Sequence, residues 1–289
     1  MKYSVLGLLI GSLLLAGCGG SDNDNNDSSN PPKNNGGSEQ PNPKPVVTTE
    51  LVNEMSGIAL REALLSGLVD TLISGTDDAL DSGQCKTGTM ARTESGLTFN
   101  GCEGMYEDDN VKVSGQVTTA NDSYTFKDLT LTYPSGETQK INGSLQILEN
   151  PTSVKVTSTQ LILDAQELNS AKKLIPINYT IKDYQLVWTP SDASHVQLQV
   201  SSKLKSTGRE GGDFNMAFDN FMTPFNIQKN EEDDLIGNPF TGTLTITDLN
   251  QSKNIITIKA LGANQKAQYT SVGEQSFDKQ IAWEELLDY

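Results

Sequence analysis

The chain has 289 residues, enough for one large domain or two small ones with a hydrophobic core of their own. Its 37 acidic residues outnumber the 21 basic ones, giving a formal net charge of −16. Such a surface repels phosphate, so nucleic acid is not expected as a partner, and the charge is typical of a well-solvated protein.

Residues 1–17 have the pattern of a bacterial export signal. Lys2 provides the positive start, an apolar run extends from Val5 to Leu15, and Ala16 and Gly17 are small residues before a cleavage point. The apolar run is shorter than the roughly 20 residues that cross a bilayer. We therefore predict a signal peptide over 1–17 rather than a transmembrane helix.

The sequence Leu15-Ala16-Gly17-Cys18 resembles the lipobox of bacterial lipoproteins. The resemblance implies that Cys18 becomes the first mature residue, with a diacylglycerol on its thiol and usually an acyl chain such as palmitate on its amine. Two or three acyl chains give lasting attachment to the lipid membrane, whereas one holds a protein only marginally. Gly19 stands where enteric lipoproteins of the inner membrane commonly carry Asp. The resemblance thus implies the outer membrane, with the domain facing the periplasm or the cell surface.

Residues 18–47 form the predicted connection between this anchor and the folded domain. After Cys18 the segment is almost entirely Asn, Ser, Asp, Gly and Pro, with no aromatic residue. It cannot bury enough apolar area to offset the entropy of ordering, which predicts a disordered tether. Its typical end-to-end distance is about 30 Å.

A helix is predicted over residues 49–74, where apolar side chains recur with a helical period. Thr48 or Thr49 can cap its start, and Gly75 can end it. Its charged residues exclude a membrane span, and its two internal glycines weaken it in isolation. We therefore expect this helix to lie on another surface.

Two cysteines, Cys85 and Cys102, remain once Cys18 is assigned to the anchor. An even pair in an exported chain predicts a disulfide, because the compartment beyond the inner membrane is oxidising. Closing this loop is worth about 3 kcal/mol in the chain-entropy treatment. The pair is not a CxxC motif and the chain's single histidine is distant in sequence, so neither a redox motif nor a zinc site is predicted.

From about residue 86 to 272 the sequence alternates apolar and polar residues between turn signals, which predicts antiparallel strands. Several segments share the pattern apolar-x-apolar-x-(Gly/Asp/Asn)-apolar. These segments are LTFNGC (97–102), YTFKDL (124–129), YTIKDY (179–184) and NMAFDNF (215–221), with a degenerate copy at VTSTQL (156–161). A Gly-x-apolar strand start follows at Gly115, Gly143 and Gly242.

The apolar register slips by one residue inside each repeat. A β-bulge produces such a slip, and a two-residue hairpin would do so too. Asn100-Gly101 is a good hairpin dipeptide, but Lys127-Asp128 is a poor one. We favour bulged strands, in which Cys102 takes the same core-facing position as Leu129, Tyr184 and Phe221.

The predicted fold is mainly β with one N-terminal helix. Bulges bend strands, so the repeats predict a long curved antiparallel sheet, open like half a barrel, with an apolar concave face. The helix is expected to pack on or near that face. A short C-terminal helix is predicted over 277–287, anchored by Trp283, Leu286 and Leu287, which completes a single domain over 48–289.

No catalytic, cofactor-binding or metal-binding residue is predicted. His195 is flanked by Ser191, Asp192 and Ser194, but in a turn context without a GxSxG elbow, so a solvated loop histidine is expected. Acidic runs at 107–109 and 231–234 carry oxygen ligands suited to calcium, yet runs of this kind between strands are usually solvated turn tips. No phosphate loop or dinucleotide fingerprint occurs.

The whole-chain pattern resembles uncharacterised proteobacterial lipoproteins, which implies a location more than an activity. We predict a non-enzymatic binding or carrier module that shelters an amphiphilic ligand on its concave face, as periplasmic lipoprotein-carrier proteins do with a similar open-barrel architecture. The alternative is a structural or assembly role, in which an envelope protein partner docks on a sheet edge or on the acidic loops. A hydrolase that uses His195 is the third possibility.

Overall fold

The computed structural model describes residues 47–81, 83–106, 110–231 and 233–289. The predicted signal peptide, Cys18 and the tether through residue 46 lie outside the described residues. Among the helices that are described, none is long and apolar enough to cross a membrane.

The predicted helical segment forms two helices, α1 (Thr49–Ala63) and α2 (Leu68–Asp81). Thr48 caps α1, because its hydroxyl accepts a hydrogen bond from the Leu51 amide at 3.2 Å. The chain then bends at Leu65, whose φ of 54° lies in the left-handed region. The expected helix is therefore present as a bent pair, and it extends beyond residue 74.

The sequence predicts that Gly75 ends the helix, but Gly75 lies inside α2. A Cβ at this position would lie 2.3 Å from Cδ1 of Tyr106. The glycine thus lets the helix approach the Tyr106 ring closely. The next residue, Thr76, hydrogen-bonds the Tyr106 hydroxyl at 2.9 Å.

The described part of the chain contains fifteen strands, which form one antiparallel sheet. In chain order, β1 to β15 are Thr89–Thr93, Gly96–Glu103, Lys112–Ala120, Ser123–Thr132, Thr138–Asn150, Ser153–Leu168, Leu174–Pro190, His195–Thr207, Phe214–Asp219, Phe225–Lys229, Leu235–Thr241, Thr243–Asp248, Ile255–Ala260, Ala267–Val272 and Phe277–Ile281. The sheet is open, which confirms the predicted fold class.

Strand β8 is the point at which the sheet divides. Strands β1 to β9 pair with their sequence neighbours, and β12 to β15 continue from β9. One part of β8, from Ser201 to Ser206, pairs with β9. The other part, from His195 to Leu198, pairs with β10, which in turn pairs with β11.

The predicted bulges are confirmed in three of the repeats. The pairing register shifts within β2, β4 and β7 at the expected residues. Gly101, Asp128 and Asp183, at the same position of each repeat, have φ values of 60°, 48° and 52°. Glycine and aspartate tolerate this left-handed conformation better than most residues, which explains the residue types there.

The fourth repeat, residues 215–221, does not follow the prediction. Here β9 ends and the chain resumes as β10, with Asn220 between them. The Asn220 side chain replaces part of the strand ladder, since Oδ1 accepts from the Val200 amide at 2.6 Å and Nδ2 donates to the Leu198 carbonyl at 3.0 Å. Phe221 is consequently only half-buried, and Phe225 takes the core position.

The C-terminal segment also differs from its prediction. Residues Phe277–Ile281 form β15 on the edge of β14, and the helix, α3, covers only Trp283–Leu287. The ring of Phe277 packs against Tyr269 of β14, with centroids 4.7 Å apart, which favours the strand over the predicted helix. Trp283 is buried as expected and meets Phe225 of β10 edge to face.

Both helices cover the apolar face of the sheet. Helix α1 packs against β8, β9, β12, β13 and α3. Helix α2 reaches the other end of the sheet, where Asp77 accepts a hydrogen bond from the Tyr124 hydroxyl of β4. Beyond α2, Cys85 is disulfide-bonded to Cys102 of β2, whose side chain is fully buried on the core face.

Candidate functional site

Five buried polar side-chain atoms belong to α1, to the strands β6 to β8 and to the connection after β8. Within the described ranges these atoms have no hydrogen-bond partner, although more than about nine in ten buried polar groups in folded proteins are paired. They are Glu62 Oε2 on α1, Ser158 Oγ on β6, Trp188 Nε1 on β7, Ser206 Oγ on β8 and Arg209 Nε just after β8. We call this set the polar seam.

Two residues of the seam, Glu62 and Ser158, together with Asp70 of α2 and Tyr184 of β7, make up what we call the acid cluster. Glu62 is 6% exposed, and its Oε1 caps α2 by accepting from the Leu68 amide at 2.7 Å. The Tyr184 hydroxyl hydrogen-bonds the Glu62 carboxyl closely enough to lower its pKa, although the geometry at Oε2 is poor. Ser158 lies directly opposite Tyr184 in the β6–β7 register, so both side chains lie on the same face.

Burial dominates the electrostatics of the acid cluster. It raises the pKa of Glu62 to about 7, against the opposing hydrogen bonds from the α2 amides, the charge of Arg61 and the hydrogen bond from Tyr184. Burial, together with the neighbouring Glu62, also raises the pKa of Asp70 to about 7. The pKa of Tyr184 is raised well above its usual value, first by burial and then by the two carboxylates. The cluster therefore exchanges protons near neutral pH.

Another residue of the seam, Arg209, is the centre of a paired network. Its guanidinium forms an ion pair with Glu54 of α1 and donates to the Tyr179 hydroxyl, which in turn donates to Glu167 at 2.9 Å. It also lies over the rings of Tyr179 and Phe214, 5.5 and 5.9 Å from their centroids. This network joins α1 to β6, β7 and the β8–β9 connection, so its role is to fix α1 on the sheet.

His195 and its neighbours do not form a catalytic relay. Nδ1 of His195 lies 2.9 Å from Asp192 Oδ1 and 3.2 Å from Ser194 Oγ. A serine–histidine–aspartate triad needs the serine on one ring nitrogen and the aspartate on the other. Here both partners meet the same nitrogen, at an exposed turn between β7 and β8.

The acidic runs provide no metal centre in the part of the chain that is described. Asp233 is bound by Lys229, with Nζ and Oδ1 2.5 Å apart, and Asp234 accepts from the Asn230 side chain at 2.9 Å. No group of three His, Cys, Asp or Glu residues suited to a metal ion occurs there. The run at 107–109 lies outside the described residues.

Sequence reasoning missed the acid cluster. One signal was present, because Glu62 follows Met55 and Ala59 on the buried side of α1, where a charged residue is unusual. Asp70, Ser158 and Tyr184 come from three further elements, and only the strand register and the bend of the helix bring them together.

Fold and seam together define a class: an open antiparallel sheet whose apolar face is covered by a bent helix pair, with polar atoms buried at the interface. Comparisons with protein-family models, curated proteins and solved structures found no match to the chain. A functional assignment therefore depends on the residues of the site.

Proposed function

We propose that the protein is a lipoprotein anchored in the outer membrane through acylated Cys18, and that its domain is a non-enzymatic binding or carrier module for an amphiphilic ligand. The observation that carries the proposal is the polar seam, where five buried polar atoms lack a partner among the described residues. An amphiphile offers an apolar chain to the sheet face and a polar group to the Glu62 and Ser158 end of the seam, so it satisfies both requirements there.

Entry of such a ligand requires one covering element to move, and α2 is the better suited of the two. Five of its fourteen residues are buried, against nine of fifteen in α1. Side-chain hydrogen bonds attach it to the sheet: Thr76 to Tyr106, Tyr124 to Asp77, and Arg92 to the Ala79 carbonyl. Displacement of α2 would expose apolar side chains of the strands beneath it. In this mechanism α2 is a lid.

Ligand binding can be tested on the full chain carrying Cys18→Ser, purified without detergent. We expect native mass spectrometry to detect a bound lipid-like molecule or the uptake of an added C12 amphiphile. Hydrogen exchange should change in α2 on binding and stay constant in α1. Failure to retain or bind any amphiphile, with unchanged exchange in α2, would contradict the carrier function; a stable stoichiometric crosslink to one envelope protein would then favour the assembly role.

The anchor has its own experiment. In cells fed radiolabelled palmitate, the wild-type chain should take up label and fractionate with the outer membrane, whereas Cys18→Ser should do neither. Cys85→Ser serves as the control, because loss of this thiol removes the disulfide but leaves the lipobox intact. Unlabelled wild-type protein would refute the anchor.

A further inference from the structure

We infer that the acid cluster is the head-group site of the proposed ligand and that it selects an ammonium group. The inference rests on the proposed function and adds the chemical class of the ligand. Glu62 Oε2 and Ser158 Oγ are each part of a side chain only 6% exposed. Ser158 Oγ has no partner in the described ranges, and Glu62 Oε2 has only the poorly aligned Tyr184 hydroxyl. These are the atoms whose hydrogen bonds a bound group would complete.

The four side chains of the cluster offer more hydrogen-bond acceptors than donors, so a ligand that donates hydrogen bonds fits them best. When ionised, Glu62 Oε2 and the Asp70 carboxylate only accept, while Ser158 and Tyr184 each supply one hydrogen. Acceptors therefore outnumber donors. A primary ammonium group supplies three donors and a positive charge, and hydrogen bonds between an ammonium and a carboxylate are stronger than neutral ones.

The charges around the cluster also favour a cation. Asp70 contributes from α2 and Glu62 from α1, whereas β6 and β7 contribute only the neutral Ser158 and Tyr184. Arg61 is the cation on α1 nearest to Glu62, and its Nη1 is committed to the Leu287 carbonyl at 2.5 Å. A carboxylate or phosphate head group would meet two acids, and the remaining guanidinium of the seam, Arg209, is already paired with Glu54.

Binding of an ammonium group should displace protons. Burial raises the pKa of both Glu62 and Asp70 to about 7, so near neutral pH the carboxyls share protons in the unliganded protein. A nearby positive charge favours their ionised forms. We expect the release of about one proton per ligand bound at pH 7, measurable by calorimetry in buffers of different ionisation enthalpy.

The experiment compares ligands that share one chain and differ in the head group. With the full chain carrying Cys18→Ser, dodecylamine should bind at least about tenfold more tightly than dodecanoate, with dodecyltrimethylammonium between them because it has charge but no donor. Glu62→Gln retains an oxygen to cap α2, and it should reduce this preference about tenfold. Asp70→Asn should do the same.

Asp77→Asn is the matched control, since it changes an acid of α2 that contacts Tyr124 instead of the cluster. It should leave the head-group preference unchanged even if it alters affinity for every ligand. The inference is overturned, and the carrier function stands, if dodecanoate binds as tightly as dodecylamine or if neither cluster variant changes the preference. If no C12 compound binds, the function fails and the inference fails with it.

Discussion

Helices α1 and α2 lie on the same sheet, but they are attached to it differently. In α1, Ser56 contacts Tyr269, Arg61 contacts the Leu287 carbonyl and Glu54 pairs with Arg209, in addition to its larger buried fraction. In α2, fewer residues are buried, and its three named contacts all lie near its C-terminal half. The difference shows that α1 is the more firmly attached helix, and it supports the proposal that α2 is the one that moves.

The largest expected effect comes from two substitutions that each create a cavity, one under α1 and one under α2. Leu60 of α1 and Leu72 of α2 are both 0% exposed. Leu60→Ala and Leu72→Ala should each reduce the free energy of unfolding by about 2–5 kcal/mol. Leu60→Ala should be the more costly, because α2 can shift and partly fill the cavity left by Leu72, whereas α1 cannot shift in this way. Urea denaturation measures both values. An equal or larger loss for Leu72→Ala would show that α2 is held as firmly as α1.

The acid cluster at the junction of the two helices predicts a dependence on pH. Burial raises the pKa of Glu62 from 4.5 and of Asp70 from 3.8 to about 7, so the folded state favours their protonated forms. This stabilisation is complete below the unfolded pKa values and is lost as the pH rises through about 7. We expect the free energy of unfolding to fall by about 2–3 kcal/mol for each carboxyl that holds its proton in the folded state, between about pH 5 and about pH 8.

Glu62→Gln should reduce this slope, measured by urea denaturation at a series of pH values. Glu50→Gln is the control, because Glu50 is an exposed residue of the same helix pair. A slope unchanged by Glu62→Gln would mean that Glu62 does not hold a proton in the folded protein.

A smaller difference in stability is expected between the loss of two comparable hydroxyl groups, one on α1 and one on α2. Ser56 contacts Tyr269 and Thr76 contacts Tyr106, both at 2.9 Å, but the Tyr269 hydroxyl has a second partner in Asn53 at 3.0 Å. Ser56→Ala should therefore cost about 0.5–1.5 kcal/mol, and Thr76→Val about 1–3 kcal/mol because the buried Tyr106 hydroxyl loses its partner. Thermal unfolding resolves the two. The opposite order would show that Asn53 does not compensate the Tyr269 hydroxyl for the loss of Ser56.

The sequence predicted those features that depend on local parity. The one-residue slip before Leu129 and before Tyr184 left a bulge or a two-residue hairpin, the poor hairpin residues there favoured the bulge, and the bulges are present. It failed where a distant residue decides the outcome. Gly75 lies inside a helix, where the Tyr106 ring packs against it. Phe221 lies outside the core because the Asn220 side chain replaces part of the backbone pairing next to it.

The acid cluster was beyond sequence reasoning for a similar reason. Ser158 and Tyr184 become neighbours only through the register of β6 and β7, and Asp70 approaches Glu62 only because the helix bends between them. Periodicity reports which side of an element is apolar. It does not report which polar residues of separate elements meet across the core.

The contacts of α1 with the last residues of the chain have a consequence for the order of folding. The Gln275 side chain donates to the Val47 carbonyl across 228 positions, and Arg61 reaches Leu287 across 226. Most strands pair with their sequence neighbours and can therefore form early as hairpins. Helix α1 comes first in the described chain but contacts its last residues, so we expect α1 to dock only after β15 and α3 have formed.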